Sequence, residues 1–141
     1  HKTNKMATVT ATIGLSSRDI SDNGLSISKS CILTEADVTT GIKSTTGLSS
    51  KTYASTGAAE LIDYSEDDIT GNAAKVYIKN TSSSSTQYVE VAIGTTGSHV
   101  EIARLYGGDW MFIPYTGGAS ADIIVTPSTS DSVTLEYLGL Y

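Results

Sequence analysis

The chain has a single cysteine, Cys31, among its 141 residues. One cysteine excludes an internal disulfide and any metal cluster built on cysteine. Leu25, Ile27 and Leu33 share the parity of Cys31 in an alternating strand pattern, which places the four side chains on one face. Free cysteine is commonly buried, so we expect an inert thiol in the core.

Histidine is almost as scarce, with two in the chain, and His1 falls in a terminal segment set aside below. A Ser–His–Asp triad would have to use His99, and no G-x-S-x-G elbow accompanies it. A cupin-type metal site needs several histidines. We expect His99 to be an exposed residue where a turn meets a strand. The sequence therefore predicts no catalytic residue, no bound metal, no cofactor and no enzymatic activity.

Charge is also low, at 17% of residues, with a formal net charge of −6. The basic residues are scattered, which argues against a nucleic-acid partner because phosphate binding needs clustered Lys and Arg. No apolar run approaches the ~18 residues of a membrane-spanning helix, and no signal peptide is visible. We interpret residues 1–5 (HKTNK) as a tag remnant before Met6, and residues 6–141 as a single domain.

Strong helix formers are few, whereas Ser and Thr are plentiful and glycine numbers 13. Thr favours strands, and Ser and Gly favour loops. Turn signals recur about every 8–12 residues, which is typical of a sandwich or barrel. The composition therefore predicts an all-β domain of antiparallel strands with Thr/Ser/Gly-rich loops.

A central stretch, residues 74–114, is expected to organise the domain as a four-stranded meander. Val76 and Ile78 alternate with polar neighbours, as in a half-buried strand. Three more runs follow after a Ser-rich turn and two glycine turns. The last run is apolar at nearly every position, which predicts a strand buried on both faces and ended by Pro114. The four runs are residues 75–79, 87–93, 99–105 and 110–114.

The N-terminal part, residues 6–33, is predicted to form a hairpin or an arm that reaches another subunit. Ala7–Ile13 and Leu25–Leu33 both alternate, and Asn23-Gly24 is a hairpin signal. Thr34–Asp37 resembles the start of a single helical turn. Further strands are expected near residues 51–55, 58–62, 122–126 and 132–140.

Two acidic groups in the sequence are candidate cation sites. Clustered carboxylates supply the oxygen ligands of Ca²⁺, but neither group matches the EF-hand loop. We interpret both as solvated acidic turns, and leave open whether the second binds Ca²⁺. The first group is Asp19 and Asp22, and the second is Asp63, Glu66, Asp67 and Asp68.

Eight tyrosines and one tryptophan also indicate a possible carbohydrate-binding face. Tyr77 and Tyr88 flank the Ser-rich turn and are expected to be cross-strand neighbours. Tyr106, Trp110 and Tyr115 cluster around a Gly-Gly-Asp turn. Aromatic side chains at strand ends are more often core or interface anchors, so we favour a protein interface over sugar binding.

One block of sequence resembles a known class of proteins. It contains VYIKNTSSSSTQYVEVAIG, VEIARLYGGDWMFIPYTGG and ADIIVTPSTSDSVTLEYLGLY, and it covers residues 76–141. It is similar to the C-terminal half of small virion structural proteins of tailed bacteriophages. The resemblance implies a β-sandwich of jelly-roll type that assembles as a homo-oligomer, with a trimer favoured.

The resemblance also implies a role in the virion after assembly in the host cytoplasm. We expect a capsid decoration (cement) protein that binds itself and the major capsid protein or other virion proteins, with no nucleic acid and no membrane. The alternative is a fibre-tip or carbohydrate-binding module involved in host attachment. The position in the virion, the oligomer number and the host stay open at this stage.

Overall fold

The computed structural model describes residues 7–34, 41–64 and 73–141, and within these ranges it contains ten β-strands and no helix. The chain divides into two compact units, His1–Lys43 and Ser44–Tyr141. The all-β prediction is confirmed. The expected helical turn at Thr34–Asp37 lies, apart from its first residue, outside the described residues.

The first unit is a long antiparallel hairpin of β1 (Val9–Ser17) and β2 (Leu25–Leu33). The two strands pair without interruption from Val9 opposite Leu33 to Ser17 opposite Leu25. β1 continues to Ser17, so the predicted end at Ile13 was wrong. Outside the strands, Ala7 and Ile42 exchange two backbone hydrogen bonds of 2.8 Å.

The second unit is an antiparallel β-sandwich, as predicted from the sequence. One sheet has the strand order β3–β10–β5–β8 and the other has β4–β9–β6–β7. The strands are β3 (Ser49–Tyr53), β4 (Ala59–Ile62), β5 (Ala73–Asn80), β6 (Tyr88–Thr95), β7 (Ser98–Tyr106), β8 (Trp110–Thr116), β9 (Asp122–Pro127) and β10 (Val133–Leu140).

The pairing in this unit is nested. β3 pairs with β10, β4 with β9, β5 with β8, and β6 with β7. The four central strands exist as predicted, but the meander was wrong because only β6 and β7 are consecutive and paired. The other connections cross from one sheet to the other. Alternation along a strand shows which face is buried but does not show which strand lies beside it.

The core fills the space between the two sheets, and both sheets contribute to it. Inward-facing aliphatic side chains of one sheet meet those of the other and exclude water, which is the main source of stability for such a sandwich. The buried residues of this core cluster are Leu61, Ile62, Ala74, Val76, Ile78, Val89, Val91, Leu105, Tyr115, Ile123, Val125, Val133 and Leu135.

Strand β8 lies at a sheet edge, so the prediction of a strand buried on both faces was wrong. Its first residue, Trp110, is 55% exposed. Pro114 pairs opposite Lys75 and the strand continues to Thr116, so this proline does not end it. An edge strand tolerates proline because the missing N–H can face away from the neighbouring strand.

The Ser-rich segment after β5 connects the two sheets and is fixed by side-chain hydrogen bonds. The side-chain nitrogen of buried Asn80 donates to the Leu105 carbonyl oxygen at 3.0 Å. The side-chain oxygen of the same residue accepts from the Ser82 backbone N–H at 2.9 Å. A Cβ at Gly107 would lie 2.3 Å from the Ser84 carbonyl oxygen and 2.6 Å from that of Ser82. Only glycine at this position allows the segment to pack so closely against the β7–β8 turn.

We expect Ile78→Ala to lower the free energy of unfolding by about 2–5 kcal/mol, because Ile78 is fully buried between the sheets and truncation leaves a cavity. Leu48→Ala is the control, since Leu48 is 65% exposed and its truncation should change stability by less than about 0.5 kcal/mol. Urea unfolding of both variants measures the difference. Equal effects would contradict the assigned core.

Candidate interaction surfaces

The register of the β1–β2 hairpin sorts its side chains onto two different faces. Directly opposite residues point to the same side, so the odd-numbered residues of both strands share one face. The other face is made almost entirely of Ser, Thr and Gly. The hairpin apolar face consists of Val9, Ala11, Ile13, Leu15, Leu25, Ile27, Cys31 and Leu33, with Lys29 as its single charge.

Much of this hairpin apolar face is open to solvent. Ile13 is 44% exposed, Leu15 is 49% exposed and Ile27 is 39% exposed. An isolated two-stranded hairpin is marginally stable in water and needs a further layer on its apolar side. The amphipathic pattern therefore makes this face a candidate binding surface.

Cys31 lies on this face and is exposed, so the prediction of a buried thiol was wrong. The strand parity that joined Cys31 to Leu25, Ile27 and Leu33 was correct. The error came from assuming that an apolar strand face is covered by the same chain. The exposed thiol is a natural probe for whatever covers the face.

The second surface lies on β7 and the start of β8, and we call it the β7–β8 patch. It consists of Val100, Ile102, Tyr106 and Trp110, all of which are exposed. The register of β6 and β7 shifts so that Ile102 has no partner directly opposite it. The two-residue alternation of β7 is therefore interrupted, so Ala103 and Leu105 contact the core whereas Val100 and Ile102 are exposed.

Exposed large hydrophobic side chains are concentrated in these two places. Of the ten found among the described residues, five lie in the hairpin and its loop and four form the β7–β8 patch. The remaining one is Leu48. In soluble proteins such concentrations mark interaction sites, whereas single exposed side chains are ordinary.

Charged and aromatic groups surround the β7–β8 patch. Arg104 contacts Glu90 at 3.2 Å and Glu101 at 3.5 Å, and its guanidinium lies 4.3 Å from the centre of the Tyr88 ring. Tyr88 and Tyr106 pack with ring centres 5.2 Å apart. Two carboxylates share one guanidinium here, so this group carries a net negative charge.

The predicted aromatic clusters are only partly present. Tyr77 and Tyr88 lie in different sheets, so they are not cross-strand neighbours, and that prediction was wrong. Tyr115 is buried in the core and its hydroxyl donates to the Ala121 carbonyl. Of the cluster at the Gly-Gly-Asp turn, Tyr106 and Trp110 remain exposed.

His99 is exposed on β7, and one of its ring nitrogens, Nδ1, lies 2.9 Å from the Thr95 carbonyl oxygen. This contact joins residues at the two ends of the β6–β7 turn. Asp19 lies in the exposed hairpin loop and accepts a hydrogen bond of 2.9 Å from the Ser17 hydroxyl. Asp22 lies in the same loop.

Three carboxylates meet near the pairing of β4 with β9. Oxygen atoms of Glu60, Asp63 and Asp122 lie within 4.8 Å of one another, and buried Asp122 accepts the Tyr64 amide at 2.9 Å. These groups could supply part of a cation site, but fewer oxygens than the six to eight that Ca²⁺ takes. Of these three residues, the sequence indicated only Asp63. Glu60 and Asp122 come close to it through the pairing of β4 with β9, which the sequence pattern does not show. Glu66, Asp67 and Asp68 lie outside the described residues.

Three comparisons with known proteins found no match. No family model, no curated protein and no solved structure matches the chain. Among the described residues, no helix has the length and apolar character needed to cross a bilayer. The interpretation of the two exposed surfaces therefore depends on the chain's own chemistry.

Tyr115 gives the second unit a pH dependence. Burial raises the pKa of Tyr115 to about 12, and the nearby carboxylates of Asp122 and Asp63 add to the rise. Between pH 10 and 12 the unfolded chain loses this phenol proton while the folded chain keeps it. The folded state then binds more protons, so its stability falls as the pH rises.

We expect Tyr115→Phe to be less stable than wild type at pH 8, by about 1 kcal/mol for the lost hydrogen bond, and to lose less stability between pH 10 and 12. Denaturant unfolding at pH 8, 10 and 12 measures both effects. Tyr106→Phe is the control, since Tyr106 is exposed, and should follow wild type. Equal alkaline losses in all three proteins would contradict the assignment.

Proposed function

We propose that this chain is a structural protein of a tailed-bacteriophage virion, most specifically a capsid decoration (cement) protein. The observation that carries the proposal is the exposed hairpin apolar face, with Ile13, Leu15 and Ile27 open to solvent. A protein that works by adhesion needs such a surface and needs no reaction centre. The resemblance of residues 76–141 to virion proteins supplies the biological setting.

The topology of the second unit supports the finer assignment of a jelly roll. Nested pairing of β3 with β10, β4 with β9, β5 with β8 and β6 with β7 is what two Greek keys folded into a sandwich produce. Two four-stranded sheets give a rigid body on which loops and edges present binding surfaces. This supports a role as a binding scaffold.

In the proposed mechanism, many weak contacts that each bury apolar surface are repeated over a symmetric shell. Each copy associates with sister copies, with a trimer favoured, and the oligomer binds the major capsid protein. Individual contacts of modest strength add through multivalency because the lattice holds many binding positions in fixed geometry. Decoration stabilises the shell against internal pressure in the virion, after assembly in the host cytoplasm.

Adding purified protein to expanded, undecorated shells of the parent phage should give co-sedimentation that saturates at a fixed copy number per shell. The fixed number follows because lattice symmetry sets the number of equivalent binding positions. Quantitative mass spectrometry of the pelleted shells measures it. Unexpanded shells are the control. No binding, or binding that never saturates, would contradict decoration of the capsid.

A second candidate, a fibre-tip or carbohydrate-binding module, is favoured by exposed Tyr106 and Trp110 beside the β7–β8 turn. Exposed aromatic rings are suited to stacking on sugars. Specific hits on a glycan array that disappear in a folded Trp110→Ala variant would favour this candidate over decoration.

The role of the hairpin in assembly is tested by changing only its apolar face. We expect the double variant Ile13→Thr, Leu15→Thr to reduce the oligomer to monomers, because it removes apolar area from the contact while keeping good strand residues. Light scattering coupled to size-exclusion chromatography measures the mass. Wild-type Cys31 should be protected from a maleimide reagent in the oligomer and react in this variant.

The matched control is Thr10→Ser, Thr12→Ser on the opposite, polar face, which should leave both the mass and the thiol reactivity unchanged. An oligomer of unchanged mass in the apolar-face variant, with Cys31 still protected, would show that the hairpin is not part of the contact.

A further inference from the structure

The two exposed apolar surfaces of this chain are matched in length and lie on different units. Each hairpin strand and β7 has nine residues, about 30 Å of extended chain. The hairpin apolar face and the β7–β8 patch together hold seven of the ten exposed large hydrophobics among the described residues. Both surfaces contain exposed apolar side chains, and a second copy of the chain offers a cover for each of them.

The charges on the two surfaces are complementary. Lys29 is the single charged residue within β1 and β2, it lies on the hairpin apolar face, and it makes no ion pair with another described residue. Beside the β7–β8 patch, Glu90 and Glu101 share one arginine, which leaves an excess of negative charge. An apolar contact between the surfaces would bring Lys29 towards these carboxylates.

The edge formed by β7 differs in length from the other three edges of the sandwich. β3 has five residues, β4 has four and a register shift, and β8 contains Pro114. Short strands, irregularities and proline are the usual ways in which proteins protect a sheet edge from association. β7 is the longest edge strand, with its charges and its own register shift as protection.

We propose that the hairpin of one copy docks, by its apolar face, on the β7–β8 patch of a second copy. This inference rests on the proposed self-assembly and identifies the two surfaces that carry it. The contact joins unlike surfaces, so it is heterologous, and repeated copies generate a ring when the rotation closes. Each copy in a ring then uses both of its apolar surfaces, and neither surface remains exposed.

The size of the contact favours a closed ring over a simple pair. A two-stranded face about 30 Å long and 10 Å wide covers only about 300 Å² per partner. A standard stable interface buries about 800 Å² per partner. One such contact is weak, whereas in a ring each copy makes two, and dissociating one subunit requires both to break.

Site-specific cross-linking tests the pairing with the native thiol. Wild-type chain, which has Cys31 on the hairpin apolar face, is co-expressed with a differently tagged chain that carries Cys31→Ser and either Val100→Cys or Ile102→Cys. The assembled protein is treated with a short bis-maleimide. We expect a product containing both tags, at least tenfold more abundant than with Thr52→Cys on the distant strand β3.

A hairpin control replaces the wild-type chain with Cys31→Ser, Ser30→Cys, which moves the thiol to the polar face, and should give little product with either β7 position. Products joining only two Cys31 thiols would overturn the inference in favour of hairpin-to-hairpin packing. An oligomer with no cross-link to β7 would overturn it and leave the proposed self-assembly standing. A monomeric mass at all concentrations would overturn both.

Discussion

An antiparallel sheet with one apolar face is stable only when a second layer covers that face. Residues Ser44–Tyr141 satisfy this requirement internally, because two four-stranded sheets cover each other. The β1–β2 hairpin has the same alternating pattern, yet Ile13, Leu15 and Ile27 remain exposed. This unmet requirement for a second layer is the physical basis for the proposed adhesion.

The fold could be predicted from the sequence as far as local rules extend. Alternation located nearly every strand, and the scarcity of helix formers agreed with the absence of helix in the described residues. The meander failed because pairing is set by contacts between distant segments. β5 pairs with β8 and β10, and no local pattern in residues 73–80 indicates those partners.

Burial was harder to predict than strand location, and the errors share one cause. Cys31 and Trp110 were both expected to be buried because their strand neighbours are apolar, and both are exposed. Conversely, Tyr115 looked like part of an exposed aromatic cluster and is buried. Whether a strand is central or at an edge decides these cases, and that depends on topology. The two misplaced residues each lie in one of the candidate surfaces, Cys31 on the hairpin apolar face and Trp110 in the β7–β8 patch.

The chemistry of the hairpin supports the proposed association. The hairpin offers a row of aliphatic side chains on one face and Ser and Thr on the other, which suits a layer buried on one side and solvated on the other. His99 contacts the Thr95 carbonyl oxygen of the neighbouring turn, and buried Asp122 accepts a hydrogen bond from the Tyr64 amide. These polar groups therefore have local structural contacts that account for their positions.

The most direct test of the central claim is amide hydrogen exchange of β1 and β2 measured over a range of protein concentrations. If another copy supplies the missing layer, the hairpin amides exchange slowly at high concentration and become rapidly exchanging on dilution, while β9 and β10 remain slow throughout. Slow exchange of β1 and β2 in a sample shown to be monomeric would contradict the account, because the hairpin would then be stable without a partner.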